Sequence, residues 1–177
     1  MSIAKPQGLT LPELLITIAV LSILSSISLP NLTSYLQKNA AQSDINLIKK
    51  LIYHAKSRAI DSGQYVTICV LDSKDKCNKT ADWSGTVTTF LDPNRNGTID
   101  NGETVSHVAQ AGKHASSIQW RSFNRRGYLQ FSPLGLSTSS NGTFTYCPKS
   151  DNTAYQLVLN RQGRLKIRDK PHTKARC

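Results

Sequence analysis

The chain has 177 residues, room for one compact domain and an appendage but not for several domains. Its 22 Lys plus Arg against 11 Asp plus Glu give a net charge of +11, which favours polyanionic partners such as nucleic acid or anionic lipid. His54, His107, His114 and His172 form no His-Glu-x-x-His motif, and no Gly-x-Ser-x-Gly elbow or phosphate-binding glycine loop occurs, so no enzyme is expected.

Residues 1–8 are polar with one lysine and end at Gly8, immediately before a strongly apolar run. A secretory signal places its small-residue cleavage site after the apolar core, so cleavage at Gly8 would instead retain the hydrophobic segment. Residues 9–29 are long enough to cross a bilayer core at about 1.5 Å per residue, with Glu13 as the only charge. A carboxylate there costs about 2–3 kcal/mol in lipid, so Glu13 either has a partner or sits at the headgroup level. Past Pro30, expected to kink or loosen the helix, the residues Ala41, Ile45, Ile48, Ile52, Ala55 and Ala59 recur on one helical face. Asp61, Ser62 and Gly63 should end it.

From there the period changes to two. Short runs at 65–71, 86–92, 104–108, 117–121, 128–132, 143–147, 155–159 and 164–168 are punctuated by Gly, Asn, Asp and Pro, as in an antiparallel β domain that packs against the amphipathic part of the helix. The fold class is therefore α+β. The expected divisions are a leader at 1–8, a transmembrane helix at 9–30, an amphipathic helix at 31–62 and a β-rich head at 63–177.

Four cysteines behind an export-type N-terminus point to disulfides in an oxidising compartment. Three pairings are open; the short polar loop favours Cys69 with Cys77, leaving Cys147 with Cys177. No cofactor is expected, with one exception to weigh. The segment 92–103 places Asp92, Asn94, Asn96, Thr98, Asp100 and Glu103 at the ligand positions of a twelve-residue calcium loop, with Gly97 at the turn. An Asn-Gly hairpin turn needs no metal, and Arg95 opposes a cation. A basic and aromatic patch at 120–128 could stack on bases, but Trp120 and Phe123 are more simply packing residues around a turn.

Gly8 followed by Leu9, Thr10, Leu11, Pro12 and Glu13 resembles the prepilin cleavage motif, with Leu9 in place of the usual Phe and Pro12 at the fourth position. That resemblance implies a prepilin peptidase cutting between Gly8 and Leu9, methylation of the new N-terminus at Leu9, and Glu13 pairing with a neighbouring subunit's terminal amine. The helix running into residues 55–59, the Cys-bearing first strand, the Asp-rich turn near Asp92, the segment 142–147 and the segment 157–164 resemble type IV minor pilins of the FimU and FimT group and the related pseudopilin H of type II secretion. The resemblance implies a pilin-like fold, single-pass insertion in the inner membrane with a periplasmic head, and later incorporation with other pilins in a helical fibre.

The C-terminal segment is the most basic part of the head. On a strand, Arg164, Lys166 and Arg168 share one face and repeat about every 6.7 Å, close to alternate phosphates of a DNA strand. Arg161 and Lys170 flank them. In FimT-like pilins of natural transformation a Gly-Arg-x-Arg motif in this region binds DNA; Gly163 and Arg164 match it and Lys166 replaces the second Arg. Lysine keeps the charge but loses the forked phosphate geometry. The bland alternative is an edge strand guarded by charge. DNA is thus an expected partner, with a purely structural or type II secretion role as the alternative.

Overall fold

The computed structural model describes residues 10–138, 141–149 and 154–168, apart from the side chains at 26–31, 33–34 and 116. Among the described residues, one helix and nine strands follow in order: α1 (Leu11–Ser62), β1 (Val66–Leu71), β2 (Cys77–Asn78), β3 (Thr86–Leu91), β4 (Val105–Gln110), β5 (Ala115–Ser122), β6 (Leu129–Phe131), β7 (Gly142–Pro148), β8 (Tyr155–Leu159) and β9 (Leu165–Arg168). Two compact units divide the chain, one ending at Asn39 and the other beginning at Ala40.

In the first unit Thr10 begins the helix, its carbonyl accepting from the N–H groups of Glu13 and Leu14 at 3.1 and 3.2 Å. Glu13 lies in the first turn, where a negative charge suits the positive end of the helix dipole. Leu14, Leu15, Ile16, Ile18, Val20, Leu21, Ile23 and Leu24 are each at least half exposed. A helix apolar all round is stable only when something else covers it. Among the described residues no helix is long and apolar enough to cross a membrane. The described run 11–25 rises only about 22 Å, against about 30 Å for a bilayer core. The helix continues through Pro30 without a break.

In the second unit the predicted stripe is the buried face of the helix: Ala41, Ile45, Ile48, Ile52, Ala55 and Ala59 are 0–2% exposed. Gly63, at φ 63°, closes the helix with the left-handed turn that ends many helices. Two antiparallel sheets follow. The first has the order β2-β1-β3-β4 with β6 also paired to β1, and the second the order β5-β7-β8-β9. Their inner faces meet the helix stripe in one core built around Trp83, Trp120, Phe131, Phe144 and Tyr146, with Phe144 4.8 Å from Trp83 edge-on and 4.3 Å from Trp120.

Eight strands lie where the period-two runs predicted, with ends shifted by a residue or two. The two-residue β2 was not predicted, because so short a strand has no alternation to read. Its register places Leu71 opposite Cys77, and the Cys69–Cys77 disulfide closes this corner with the two Cα atoms 5.5 Å apart. Cys147 is also disulfide-bonded; Cys177, its expected partner, lies outside the described residues. Phe123 corrects the sequence reading: Trp120 is buried as expected, but Phe123 is 85% exposed. It follows the last residue of β5 in the turn towards β6, where the chain leaves the sheet before its side chain can reach the core.

Candidate nucleic-acid interface

Strand β9 exists because its hairpin with β8 is tightly specified. Gly163 donates its N–H to the Asn160 carbonyl at 3.0 Å, Asn160 donates to the Arg164 carbonyl at 3.1 Å, and the Asn160 side chain accepts from the Arg164 N–H at 2.9 Å. Gly163 takes φ 71°, and a Cβ there would lie 3.0 Å from Phe131 and 3.1 Å from the Lys56 side chain. The glycine of the Gly-Arg pair is thus required by the turn. Lys56 Nζ, from the helix, donates to the Gln162 carbonyl at 2.8 Å and ties the turn down.

Beyond that turn β9 alternates as the sequence predicted. Leu165 and Ile167 pack against the core, while Arg164, Lys166 and Arg168 are exposed. Among the described residues β9 pairs only with β8, which makes it the edge of the second sheet. Arg161 is exposed in the turn. Lys170 lies outside the described residues.

Register shows what shares the outer face with these cations. Lys166 pairs with Val158, Val158 with Thr143, and Thr143 with Arg121. Arg168 pairs with Gln156, Gln156 with Thr145, and Thr145 with Gln119. The face carries Thr143, Thr145, Gln156, Gln119 and Val158 between cations at each border, Lys166 and Arg168 on β9 and Arg121 on β5, about 14 Å apart at the usual strand spacing. None of the four strands contains Asp or Glu. Among the described residues the nearest acid in register is Asp82, bridged to Gln119 beyond the β5 border, at the far end of this row and about 19 Å from Arg168.

Among the described residues beyond α1, the acids lie in the loops of the first sheet; Asp151 and Asp169 lie outside the described residues. Asp92 is fully buried. Its Oδ2 accepts from Thr67 Oγ1 at 2.6 Å, Gln130 Nε2 at 2.8 Å and the Gly97 N–H at 3.0 Å, while Oδ1 accepts from the Asn96 N–H at 3.1 Å. Asn94 and Asn96 both donate to Asp100 Oδ2, at 2.8 and 2.7 Å, and these amides hold the Asp100 carboxyl below its ordinary value. The Thr98 N–H donates to the Asn96 side chain at 2.7 Å, and Glu103 Oε2 accepts from the Asp100 N–H at 3.0 Å. Burial, then the charges of Asp92 and Asp100, push the Glu103 carboxyl up. The six positions of the calcium-loop pattern thus lie in one hairpin loop, hydrogen-bonded mainly among themselves. Among the described residues no three His, Cys, Asp or Glu side chains are grouped to hold a metal.

Two polar anchors were missed by sequence reasoning. Asp44, on the buried helix face, accepts from the His114 N–H at 2.9 Å and from Tyr146 Oη at 3.0 Å. Gln130 joins Asp92 to Thr138, its Oε1 accepting from Thr138 Oγ1 at 3.0 Å. The partners of Asp44, and Asp92 as the partner of Gln130, lie tens of residues away, so no local pattern reveals them. Glu13 is described in the first helical turn, whereas Gly8 and Leu9 lie outside the described residues.

The sequence matches the family described as type II transport protein GspH over residues 44–163 and a prokaryotic N-terminal methylation motif over residues 3–29. Among solved structures, the type IV minor pilin FimU of Pseudomonas aeruginosa is similar in two crystal forms. One form has a TM-score of 0.58 at 17% identity, covering 76% of this chain and 92% of the other; the second has 0.51 at 16%, covering 72% and 91%. The minor pseudopilin EpsH from the type 2 secretion system of Vibrio cholerae gives 0.47 at 15%, covering 74% and 94%. No curated protein matches the chain. A family match over most of the chain, the methylation motif at its start and a helix packed on antiparallel sheets agree: this chain belongs to the GspH family of minor pilins and pseudopilins, structural subunits that assemble with other pilins in a fibre.

Proposed function

We propose that this subunit is a minor type IV pilin that binds DNA along the outer face and basic edge of its second sheet during DNA uptake. One observation carries the reading: Lys166 and Arg168 stand exposed at alternate positions of an edge strand, with Arg164 exposed immediately before it, on a face whose four strands contain no acid. A face of this kind suits backbone contacts without base readout, so the binding is sequence-independent and salt-sensitive. The methylation-motif match and the exposed apolar start of α1 support the rest of the life cycle. A prepilin peptidase cuts between Gly8 and Leu9, Leu9 is methylated, and α1 holds the subunit in the inner membrane by a single pass with the head in the periplasm until it enters the pilus. There Glu13 pairs with a neighbour's terminal amine, an arrangement in which each charge offsets the burial of the other.

The family match favours a second reading, in which the head only recognises other minor subunits of a pilus or a type II secretion fibre. Cells carrying Arg164→Gln, Lys166→Gln and Arg168→Gln together separate the two. DNA receptor function requires normal fibres with reduced DNA capture; unchanged DNA capture, or a loss of fibres themselves, assigns the face to assembly.

A further inference from the structure

A cavity of about 290 Å³ lies on the head, lined by Tyr65, Arg95, Arg126, Gln130 and Thr138. None of these residues is acidic. Its floor is fixed: Gln130 is 2% exposed, with its amide donating to Asp92 and Thr67 and its carbonyl accepting from Thr138. Asp92, the carboxylate beneath that floor, takes its hydrogen bonds from Thr67, Gln130 and the N–H groups of Asn96 and Gly97. All four donors are neutral, so neither guanidinium is engaged in neutralising it by a hydrogen bond.

The two arginines are instead held by aromatic rings. The Arg95 guanidinium lies 4.9 Å from the centre of the Tyr65 ring, with Nη1 3.5 Å from the Tyr65 hydroxyl, and Arg126 lies 5.6 Å from the centre of Tyr128. A guanidinium offers five N–H donors, and stacking on a ring face orients it without consuming them. The cavity therefore has two oriented cations, a tyrosine hydroxyl and one buried negative charge beneath its floor, a net positive site sized for a small anionic group.

The fold also connects the cavity to the basic edge. Ser137, next to Thr138, donates its N–H to the Arg161 carbonyl at 2.9 Å, and Thr138 donates its N–H to the Gln130 carbonyl at 2.9 Å. Residues 137 and 138 thus run from the β8–β9 turn to the cavity wall. We infer that the cavity is an oxyanion site that takes one phosphate of the nucleic-acid strand whose neighbouring phosphates follow Arg164, Lys166 and Arg168. This placement rests on the DNA-binding reading above, but the site itself has its own donors.

The test uses the full chain in a nonionic detergent, with the Nε–H signals of Arg95 and Arg126 followed by NMR during titration with inorganic phosphate. Saturable shifts at both arginines, absent with chloride at the same ionic strength, are expected. Arg95→Asn with Arg126→Gln removes the charges while Asn accepts the left-handed backbone of residue 95, at φ 63°. This variant should weaken a short single-stranded oligonucleotide at least about three-fold and lower its salt slope by about 0.7 per lost contact. Absence of the phosphate shifts, or wild-type oligonucleotide affinity in the folded variant, overturns the inference. The Arg164, Lys166 and Arg168 variant separates the two claims. If it binds the oligonucleotide normally while Arg95→Asn with Arg126→Gln does not, the edge-strand reading fails and the cavity stands; the reverse pattern fails the cavity alone.

Discussion

Asp44 is a buried acid on the helix stripe, and its energetic role follows from what it accepts. It satisfies the His114 N–H, in a part-buried bond, and the Tyr146 hydroxyl, which is withdrawn from water. Removing it in Asp44→Ala should cost about 1–3 kcal/mol, because hydrogen bonds to a charged group are strong and the orphaned Tyr146 hydroxyl stays buried. Denaturant melts of the full chain would show this as a lower midpoint. Burial, together with the neighbouring Asp44 charge, pushes the Tyr146 hydroxyl above its ordinary value of 10.0. A raised value in the folded state means the native protein holds this proton more tightly than the unfolded chain. The stability it contributes is fully present below about pH 10 and is lost as the pH climbs towards the folded value. Tyr146→Phe should therefore flatten the alkaline fall in the denaturation midpoint above about pH 10; an equally steep fall would remove Tyr146 as its cause. At this scale the sequence was only partly legible. Alternation marked Arg164, Lys166 and Arg168 as co-facial, but neither partner of Asp44 is near it in sequence, and the exposure of Phe123 depended on where the chain turned away from β5.

At the scale of elements, periodicity carried most of the information. The stripe from Ala41 to Ala59 was legible because a helix repeats its buried face every three or four residues, and the strands because theirs repeats every two. What it did not carry was β2, too short to alternate, and the reason for the glycine in the Gly-Arg pair. Gly163 matches a motif associated with DNA binding, yet its φ of 71° and the crowding that a Cβ there would meet from Phe131 and Lys56 give it a turn-forming role. Gly163→Ala should thus cost about 1–3 kcal/mol through the left-handed backbone and the crowded Cβ. Molecules that remain folded should bind DNA as tightly as wild type. A variant of undiminished stability that loses DNA would make the glycine part of the interface instead.

On the scale of the whole molecule, the consequential feature is the distribution of charge over the second sheet. Among the described residues beyond α1 the acids lie in the loops of the first sheet, interspersed with Lys74, Lys76, Lys79 and Arg95, while the strands of the second bear cations at both borders and no acid. The net charge of +11 favours a polyanion partner in general but indicates no particular surface for it. Location depended on register, which brings Arg121 into one row with Lys166 across two intervening strands. Alternation assigns a face within each strand but says nothing of which strands are neighbours, so the row became visible only in the fold. The measurement that bears most directly on this account is DNA binding by the full chain in nonionic detergent over a range of salt concentrations. Wild type is compared with Arg164→Gln, Lys166→Gln and Arg168→Gln combined. The account predicts wild-type affinity that falls steeply with salt, and a folded variant whose logarithmic salt slope is shallower by about 2–3, as three lost phosphate contacts require. Equal affinity and equal slope in the two proteins would contradict it.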